Sequence, residues 1–308
     1  MRARKLIEEL NSQLYERLRK IDDSDEFFEY LTMPLRPSIR INTLKVNLEY
    51  ALERLKEYIV GKVPWCKEGF YFSTNEFGNI PEYKLGIIFS QEATSMIPPI
   101  LMDLKPGMII LDIAAAPGAK TTQIAQYMEN NGCIIANDIN PLRANILISN
   151  LQRCGVLIAI VTVKDGRYFK KLKDKFDSVL VDVQCSNLGM IRKSYKHAKL
   201  WRLEDVYSLS KLQKELLTSA IQATKPGGTI VYSTCTLDPL ENEEVIDYAI
   251  NNFNIKIEKV NLPIKTSEVI LEFEGKKYSE EVRKCLRIHP QNNNSEAFFV
   301  AKLRKLEN

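Results

Sequence analysis

The sequence has little histidine, little tryptophan and almost no excess charge. Its two histidines are His197 and His289, and its six cysteines (66, 133, 154, 185, 235 and 285) form no C-x-x-C pair and no Cys/His cluster. A zinc site is therefore not expected, and no other metal is either. Free thiols are expected in a reducing compartment. No window approaches about 18 uninterrupted apolar residues, which argues against a membrane span. Met1-Arg2-Ala3-Arg4-Lys5 runs into alternating charge and not into an apolar segment, so no secretory signal is expected and a cytoplasmic protein is. Repeats and low-complexity tracts are absent. With 43 Lys and Arg against 39 Asp and Glu, the formal charge is +4, too small to name a partner.

What is present describes a globular chain. Its 308 residues are 45% hydrophobic and 27% charged, enough for one large domain or two. Charge is uneven along it. Between Lys164 and Arg202 lie eleven Lys and Arg but four acids, a local excess of +7. A solvated loop face and a phosphate-contacting surface both fit that excess. Trp201 lies at its end.

The spacing divides the chain into three. Residues 1–34 read as a helical segment, with Leu6, Leu10, Leu14 and Leu18 on one stripe. Residues 35–88 read as a small α+β module: a strand from Ile39 to Val46, a helix from Leu48 to Tyr58 and a strand at Gly69–Phe72. From residue 89 to 308, short apolar runs alternate with helical patterns. The runs are Met108–Ile113, Cys133–Asp138, Leu157–Val163, Phe176–Asp182, Thr229–Thr234 and Ala297–Leu303. Continuous β-branched runs between helices indicate an α/β domain with a mostly parallel, doubly wound sheet.

Ligands of such sheets bind outside the carboxyl ends of the strands, so the residues there matter most. The first strand ends Asp112-Ile-Ala-Ala-Ala-Pro-Gly-Ala-Lys-Thr. Small residues and Gly118 allow close backbone approach, and the following helix start suits an anionic group. A P-loop is excluded, because its first glycine would fall on Ile113, and G-x-G-x-x-G is absent. Asp138 lies 26 residues beyond Asp112, a position suited to ribose hydroxyls. Further strand ends supply Asp165-Gly166, Asp182-Val-Gln-Cys185 and Ser233-Thr-Cys235. Alone, each cysteine reads as a small buried hydrophobe and each aspartate as a helix cap. Asp182, Cys185 and Cys235 arriving from adjacent strands make coincidence a poor account.

These residues resemble the Sun-type RNA cytosine-5 methyltransferases. The likeness is carried by Asp112-x-Ala-Ala-Ala-Pro-Gly-x-Lys-Thr-Thr, Asn-Asp138-Ile-Asn, Asp165-Gly-Arg, Asp182-x-x-Cys185-Ser, Tyr-Ser-Thr-Cys235-Thr and Glu241-Asn-Glu. Arg40-Ile-Asn-Thr resembles the family's N-terminal motif, and Arg287-x-x-Pro with Phe-Phe-x-Ala its closing one. The resemblance implies a class I S-adenosylmethionine-dependent methyltransferase fold with an RRM-like N-terminal module. It implies that Ala114, Ala115, Ala116, Pro117, Gly118, Ala119 and Lys120 cradle the methionine part of S-adenosylmethionine. Asp138 would hold the ribose with Arg143 at its border, Asp165 would hold the adenine amino group, and Asp182 would face both cofactor and target base.

The implied chemistry accounts for the residue types. Cytosine C5 is a poor nucleophile until a thiolate adds to C6 and makes C5 enamine-like, able to take a methyl group from the sulfonium. The resemblance assigns that thiolate to Cys235 and the later release step to Cys185. A protonated Asp182 would hydrogen-bond cytosine N3, Lys120 would supply positive charge, and the base must first be unstacked. RNA is the implied partner and a monomer is expected. The span between Arg40 and Phe89 leaves no room for a PUA-type domain, which favours tRNA over rRNA.

The chain departs from the family at several positions. Gln184 and Asn187 stand where Pro and Gly are usual, Ala119 replaces a common glycine, and Gln291 and Ala297 replace His and Gly. His289 lies two residues before Gln291. A cofactor- and RNA-binding protein with weakened catalysis is the alternative that Gln184 and Asn187 motivate. DNA cytosine methylation is disfavoured, because its nucleophile would follow a proline after the fourth strand.

Overall fold

The computed structural model describes residues 2–307. Residues 2–32 form three helices, Arg2–Leu10, Ser12–Ile21 and Asp25–Thr32, not one continuous stripe. Asn11 causes the break: its side chain caps the second helix by accepting from the Leu14 amide at 3.0 Å. Its Nδ2 donates to the carbonyls of Ala198 and Trp201, at 3.0 and 2.9 Å. The register therefore buries Ile7 with Leu14 and Leu18, while Leu6 and Leu10 stay half-buried. These side chains, with Phe27, Phe28 and Leu31, share a core with Leu188, Ile191, Trp201 and Leu237.

Strands β1 (Ser38–Ile41), β2 (Ile59–Lys62), β3 (Gly69–Phe72) and β4 (Ile88–Ser90) form an antiparallel sheet in the order β2-β3-β1-β4. The helix Leu48–Leu55 follows β1, and the whole is a βαββαβ arrangement. The expected strand to Val46 stops at Ile41 because Asn42 turns the chain: its Nδ2 donates to the carbonyls of Gly86 and Cys154, at 2.9 and 2.8 Å. The expected helix to Tyr58 ends at Leu55, before the turn into β2. Arg40, fully buried, donates to Gln91 at 2.8 Å, to Thr122 at 2.7 Å and to the Ala119 carbonyl. Arg40 and Asn42 therefore dock the module onto the larger domain.

The larger domain holds β5 (Ile109–Asp112), β6 (Cys133–Asn137), β7 (Ala159–Thr162), β8 (Phe176–Asp182), β9 (Thr224–Thr234) and β10 (Ile255–Glu258). A small hairpin, β11 (Glu272–Phe273) and β12 (Lys276–Lys277), precedes β13 (Leu286–Ile288) and β14 (Phe298–Lys305). The main sheet runs β10-β14-β9-β8-β5-β6-β7, with β13 on β14. β5 to β9 are parallel; β14 runs antiparallel against β9 and β10. Helices cover both faces, so the middle of β8 is a short apolar run, Val179, Leu180 and Val181, all fully buried. Chain order reverses between β5 and β8, which places the binding crevice at their carboxyl ends.

One buried ion pair ties the N-terminal helices to this domain. Arg17 reaches Asp238 through two bonds of 2.7 Å, with both side chains almost fully buried. Arg17 also pairs with Glu274 at 2.8 Å, so losing Asp238 leaves the guanidinium partly satisfied, a loss of about 1–3 kcal/mol. Asp238→Ala is expected to lower the urea midpoint accordingly; an unchanged midpoint would mean the helices contribute little to stability.

Candidate active site

Each residue of the site is delivered by a strand end and then fixed by polar contacts. After β5 the loop Ile113–Gly118 leads into the helix Ala119–Tyr127. The Ala115 amide donates to the Asn137 carbonyl at 2.6 Å. The Asn137 side chain donates to the Ile113 and Lys164 carbonyls, at 3.0 and 2.9 Å, and accepts from Thr162 and Lys164. Asn137 thus fastens three strand ends together, a role its sequence position did not signal. Gly118 has φ 108°, and a Cβ there would lie 2.9 Å from Leu147 Cδ1, so only glycine suits this turn. Asp112 lies beneath the loop, accepting from Thr121 Oγ1 at 2.7 Å, and burial pushes its carboxyl up to about 7.

Asp138 is 2% exposed at the end of β6. Its Oδ1 accepts from the Asn140 amide at 2.9 Å, while its Oδ2 has no hydrogen-bond partner among the described residues. Arg143 Nη2 lies 3.6 Å from that oxygen and donates to the Ala116 carbonyl at 2.6 Å. Arg143 therefore borders Asp138 and steadies the loop. Asp165 caps the turn after β7, accepting from the Arg167 amide at 2.9 Å and pairing with its guanidinium at 2.6 Å. That hydrogen-bonded pairing holds the Asp165 carboxyl below its ordinary range.

Between these ends, Lys120 Nζ donates to Asp182 Oδ2 at 2.7 Å, and Ser233 Oγ donates to Asp182 Oδ1 at 2.7 Å. Both oxygens of Asp182 act as acceptors here. A protonated, donating Asp182, as expected from sequence, would keep acceptor capacity for both of these partners. Lys120 is thus the partner of Asp182.

The two thiols meet. Cys185 Sγ lies 3.1 Å from Cys235 Sγ, and Cys235 Sγ lies 3.3 Å from Asn187 Oδ1. Cys185 is 3% exposed, whereas Cys235 is half-buried and more accessible. The contact with Cys235, followed by burial, raises the Cys185 thiol well above its ordinary value, so Cys185 keeps its proton. Asn187 adopts a left-handed conformation, φ 59°. The family's glycine suits that conformation, and asparagine tolerates it while adding an amide against the sulfurs.

Behind the cysteines a clip that the sequence did not signal holds the loop. Gln213 Nε2 donates to the Gln184 carbonyl and to Glu241 Oε2, both at 2.9 Å; Glu241 Oε2 also accepts from the Ser186 amide at 2.9 Å. Burial pushes the Glu241 carboxyl up to about 7. His289, by contrast, is structural. Its Nδ1 lies 2.8 Å from Asp22 Oδ2, and its Nε2 accepts from Arg287 at 3.2 Å. No three His, Cys, Asp or Glu side chains cluster as metal ligands among the described residues. Nor is any of their helices long and apolar enough to cross a membrane.

The sequence matches the family described as 16S rRNA methyltransferase RsmB/F over residues 99–304, and the N-terminal domain of 16S rRNA methyltransferase RsmF over residues 8–93. A tRNA (cytosine(49)-C(5))-methyltransferase of Pyrococcus abyssi is 58% identical over 300 residues, 96% of each chain. Ribosomal RNA small subunit methyltransferase F of Shewanella amazonensis is 40% identical over 292 residues, and the chain spans 60% of that protein's length. A methyltransferase homolog of Pyrococcus horikoshii superposes with TM-score 0.86 at 34% identity, covering 97% of both chains. NSun6 of the same organism, solved with SFG, gives TM-score 0.79 at 23% identity over 99% of this chain and 98% of its own, a likeness of fold.

Proposed function

The chain belongs to the 16S rRNA methyltransferase RsmB/F family, and from that premise we propose that it methylates cytosine C5 in tRNA, through a covalent bond between Cys235 and C6. The observation that carries this reading is the thiol pair 3.1 Å apart beside the Lys120–Asp182 pair. The tRNA assignment draws on the 58% identity to a tRNA enzyme over 96% of both chains, against 40% to the ribosomal enzymes. Residues 35–88 serve in this reading as an RNA-binding module held to the catalytic domain through Arg40 and Asn42.

The residues at the strand ends suit S-adenosylmethionine. The buried, unpartnered Oδ2 of Asp138 is the acceptor that ribose hydroxyls require, since an unsatisfied buried carboxylate oxygen is costly. Asp165 retains lone pairs for an adenine amino group beside Arg167. The loop Ala114–Lys120 is small enough for close approach. Bound there, S-adenosylmethionine supplies an electrophilic methyl group. Asp182 and Lys120 face the junction of cofactor and base, where they orient the cytosine ring. Cys235 would add as thiolate to C6, C5 would take the methyl group with S-adenosylhomocysteine as the leaving group, and transfer of the C5 proton to a base would expel the Cys235 thiolate and restore the 5,6 double bond.

The test is transfer of labelled methyl to total cellular RNA, separated by size, with the product nucleoside identified. Label as 5-methylcytidine in the tRNA fraction is expected. Label confined to ribosomal RNA would move the substrate. Cofactor binding without any label would favour a protein that binds RNA and cofactor without catalysis. Asp138→Ala is expected to weaken S-adenosylmethionine about tenfold or more by calorimetry, the scale of a hydrogen bond to a charged group; unchanged affinity would remove Asp138 from the ribose site.

A further inference from the structure

Asn187 is in direct contact with the Cys235 sulfur. Its Oδ1 lies 3.3 Å from Cys235 Sγ and 3.8 Å from Cys185 Sγ, and these are its only hydrogen-bond contacts to side chains among the described residues. The backbone aims it there. Asn187 is left-handed, φ 59° and ψ 32°, and the chain is fastened on both sides of it. The Ser186 amide donates to Glu241 at 2.9 Å, and the Ser186 and Thr236 hydroxyls meet at 2.8 Å. The Gly189 amide donates to the Cys235 carbonyl at 2.8 Å. The loop that carries Asn187 is thus bonded, before and after that residue, to the strand end that carries Cys235.

An amide oxygen only accepts. Facing Cys235, it takes a hydrogen bond from the S–H, a bond that the neutral thiol makes and a thiolate cannot. Hydrogen bonding to the neutral form favours that form. The family's glycine suits the same backbone but places no atom against the sulfur. The other hydrogen-bond contact of Cys235 Sγ among the described residues is Cys185 Sγ, 3.1 Å away. The charged groups on the neighbouring elements are engaged elsewhere: Lys120 with Asp182, Lys193 with Glu296, Glu92 with the Thr94 amide and Glu241 with the Ser186 amide. Burial opposes the Lys193 charge, yet Glu296, Glu92 and Cys235 together hold its ammonium above the ordinary value. All of these stay in place when Asn187 alone is changed.

We infer that Asn187 is a positioning residue for the nucleophile: it holds Cys235 in the resting enzyme as an aimed, protonated thiol, and the S–H bond to Oδ1 has to break before the sulfur can add to cytosine C6. The amide is no base, so the proton goes to solvent and not to Asn187. The place of this step in the reaction rests on the methyl-transfer reading above. Asn187 therefore slows Cys235 at a pH where the thiol predominates and has no such effect once the sulfur is ionised. A chain with the family's glycine at this position lacks that restraint.

The test is alkylation of Cys235 by iodoacetamide in the full chain without RNA or cofactor, read by mass spectrometry of the peptide that contains it. The thiolate is the reacting form. Asn187→Gly keeps the left-handed backbone and removes the acceptor. Asn187→Asp tolerates the same backbone and sets a carboxylate against the sulfur. At about pH 7, below the ordinary thiol range, the glycine variant is expected to react about three- to tenfold faster than wild type, the scale of one hydrogen bond, and the aspartate variant more slowly. At about pH 10, above that range, wild type and the glycine variant are expected to agree within about twofold. The acidic limb of kcat/KM for methyl transfer is expected to move to lower pH in the glycine variant. Equal alkylation rates at neutral pH overturn the inference. So does a glycine variant faster by one factor at every pH, which would make Asn187 a steric shield, or a slower one, which would put the amide nitrogen against the sulfur. If wild type and variants transfer no label to RNA, the methyl-transfer reading falls, while the alkylation rates still decide what Asn187 does to Cys235.

Discussion

Cys235→Ala is expected to abolish methyl transfer while leaving S-adenosylmethionine affinity within about twofold. Loss of a covalent nucleophile costs up to about 10⁶-fold in rate, so at least a 10³-fold loss is the outcome to look for. The expectation rests on the asymmetry of the two sulfurs. The nucleophile has to meet a base delivered from solvent, and Cys235 is the more accessible thiol while Cys185 is 3% exposed. The retained affinity follows from position. Cys235 follows β9, whereas Asp138, Asp165 and the loop Ala114–Lys120 follow β6, β7 and β5. Labelled transfer and calorimetry on the same preparation check both halves. Transfer that persists in the variant would remove Cys235 as nucleophile; a parallel loss of cofactor binding would mean the substitution had disturbed the cradle.

The residues of this site were legible in the sequence because a parallel sheet leaves little choice at its strand ends. Asp138, Asp165, Asp182 and Cys235 each stand just beyond an apolar run or at its end, where the chain leaves the sheet and side chains meet the crevice. What holds them was not legible. The helix Leu203–Ala223 gave no sequence signal, because Ser210, Gln213 and Ser219 occupy buried positions and interrupt the apolar period. Its first residue also has no side-chain cap. Of these, Gln213 is half of the clip on the cysteine loop, while Ser210 and Ser219 donate to the Leu240 and Gly166 carbonyls. The stripe of leucines from Leu6 to Leu18 misled in the opposite way. Its period crosses Asn11, a residue that satisfies helix-terminal amides and so starts a new helix in a new register. The edge strands β10 and β13 are four and three residues long, too short to carry a period.

Cys185→Ala is expected to trap the enzyme on its RNA, as a slower-migrating band that survives denaturant. The argument starts from what holds the Cys185 proton. The largest influence is its contact with Cys235 Sγ, with burial second. Once Cys235 is bonded to C6, its sulfur no longer draws on the Cys185 proton in the same way, and the strongest reason for that thiol to stay protonated disappears. Adduct formation thereby readies Cys185 for the step that needs it, departure of the C5 proton and elimination of the Cys235 sulfur. Alanine at 185 leaves attack and methyl transfer in place but removes the only other thiol in contact with Cys235 among the described residues. Adduct should then accumulate to a large fraction of the enzyme under conditions where wild type shows turnover and no band. Normal turnover in Cys185→Ala, with no band, would give the release step to another group. Glu241 would be the first to examine, because its carboxyl is pushed up to about 7, its Oε1 is unpartnered, and it grips the Ser186 amide beside Cys185.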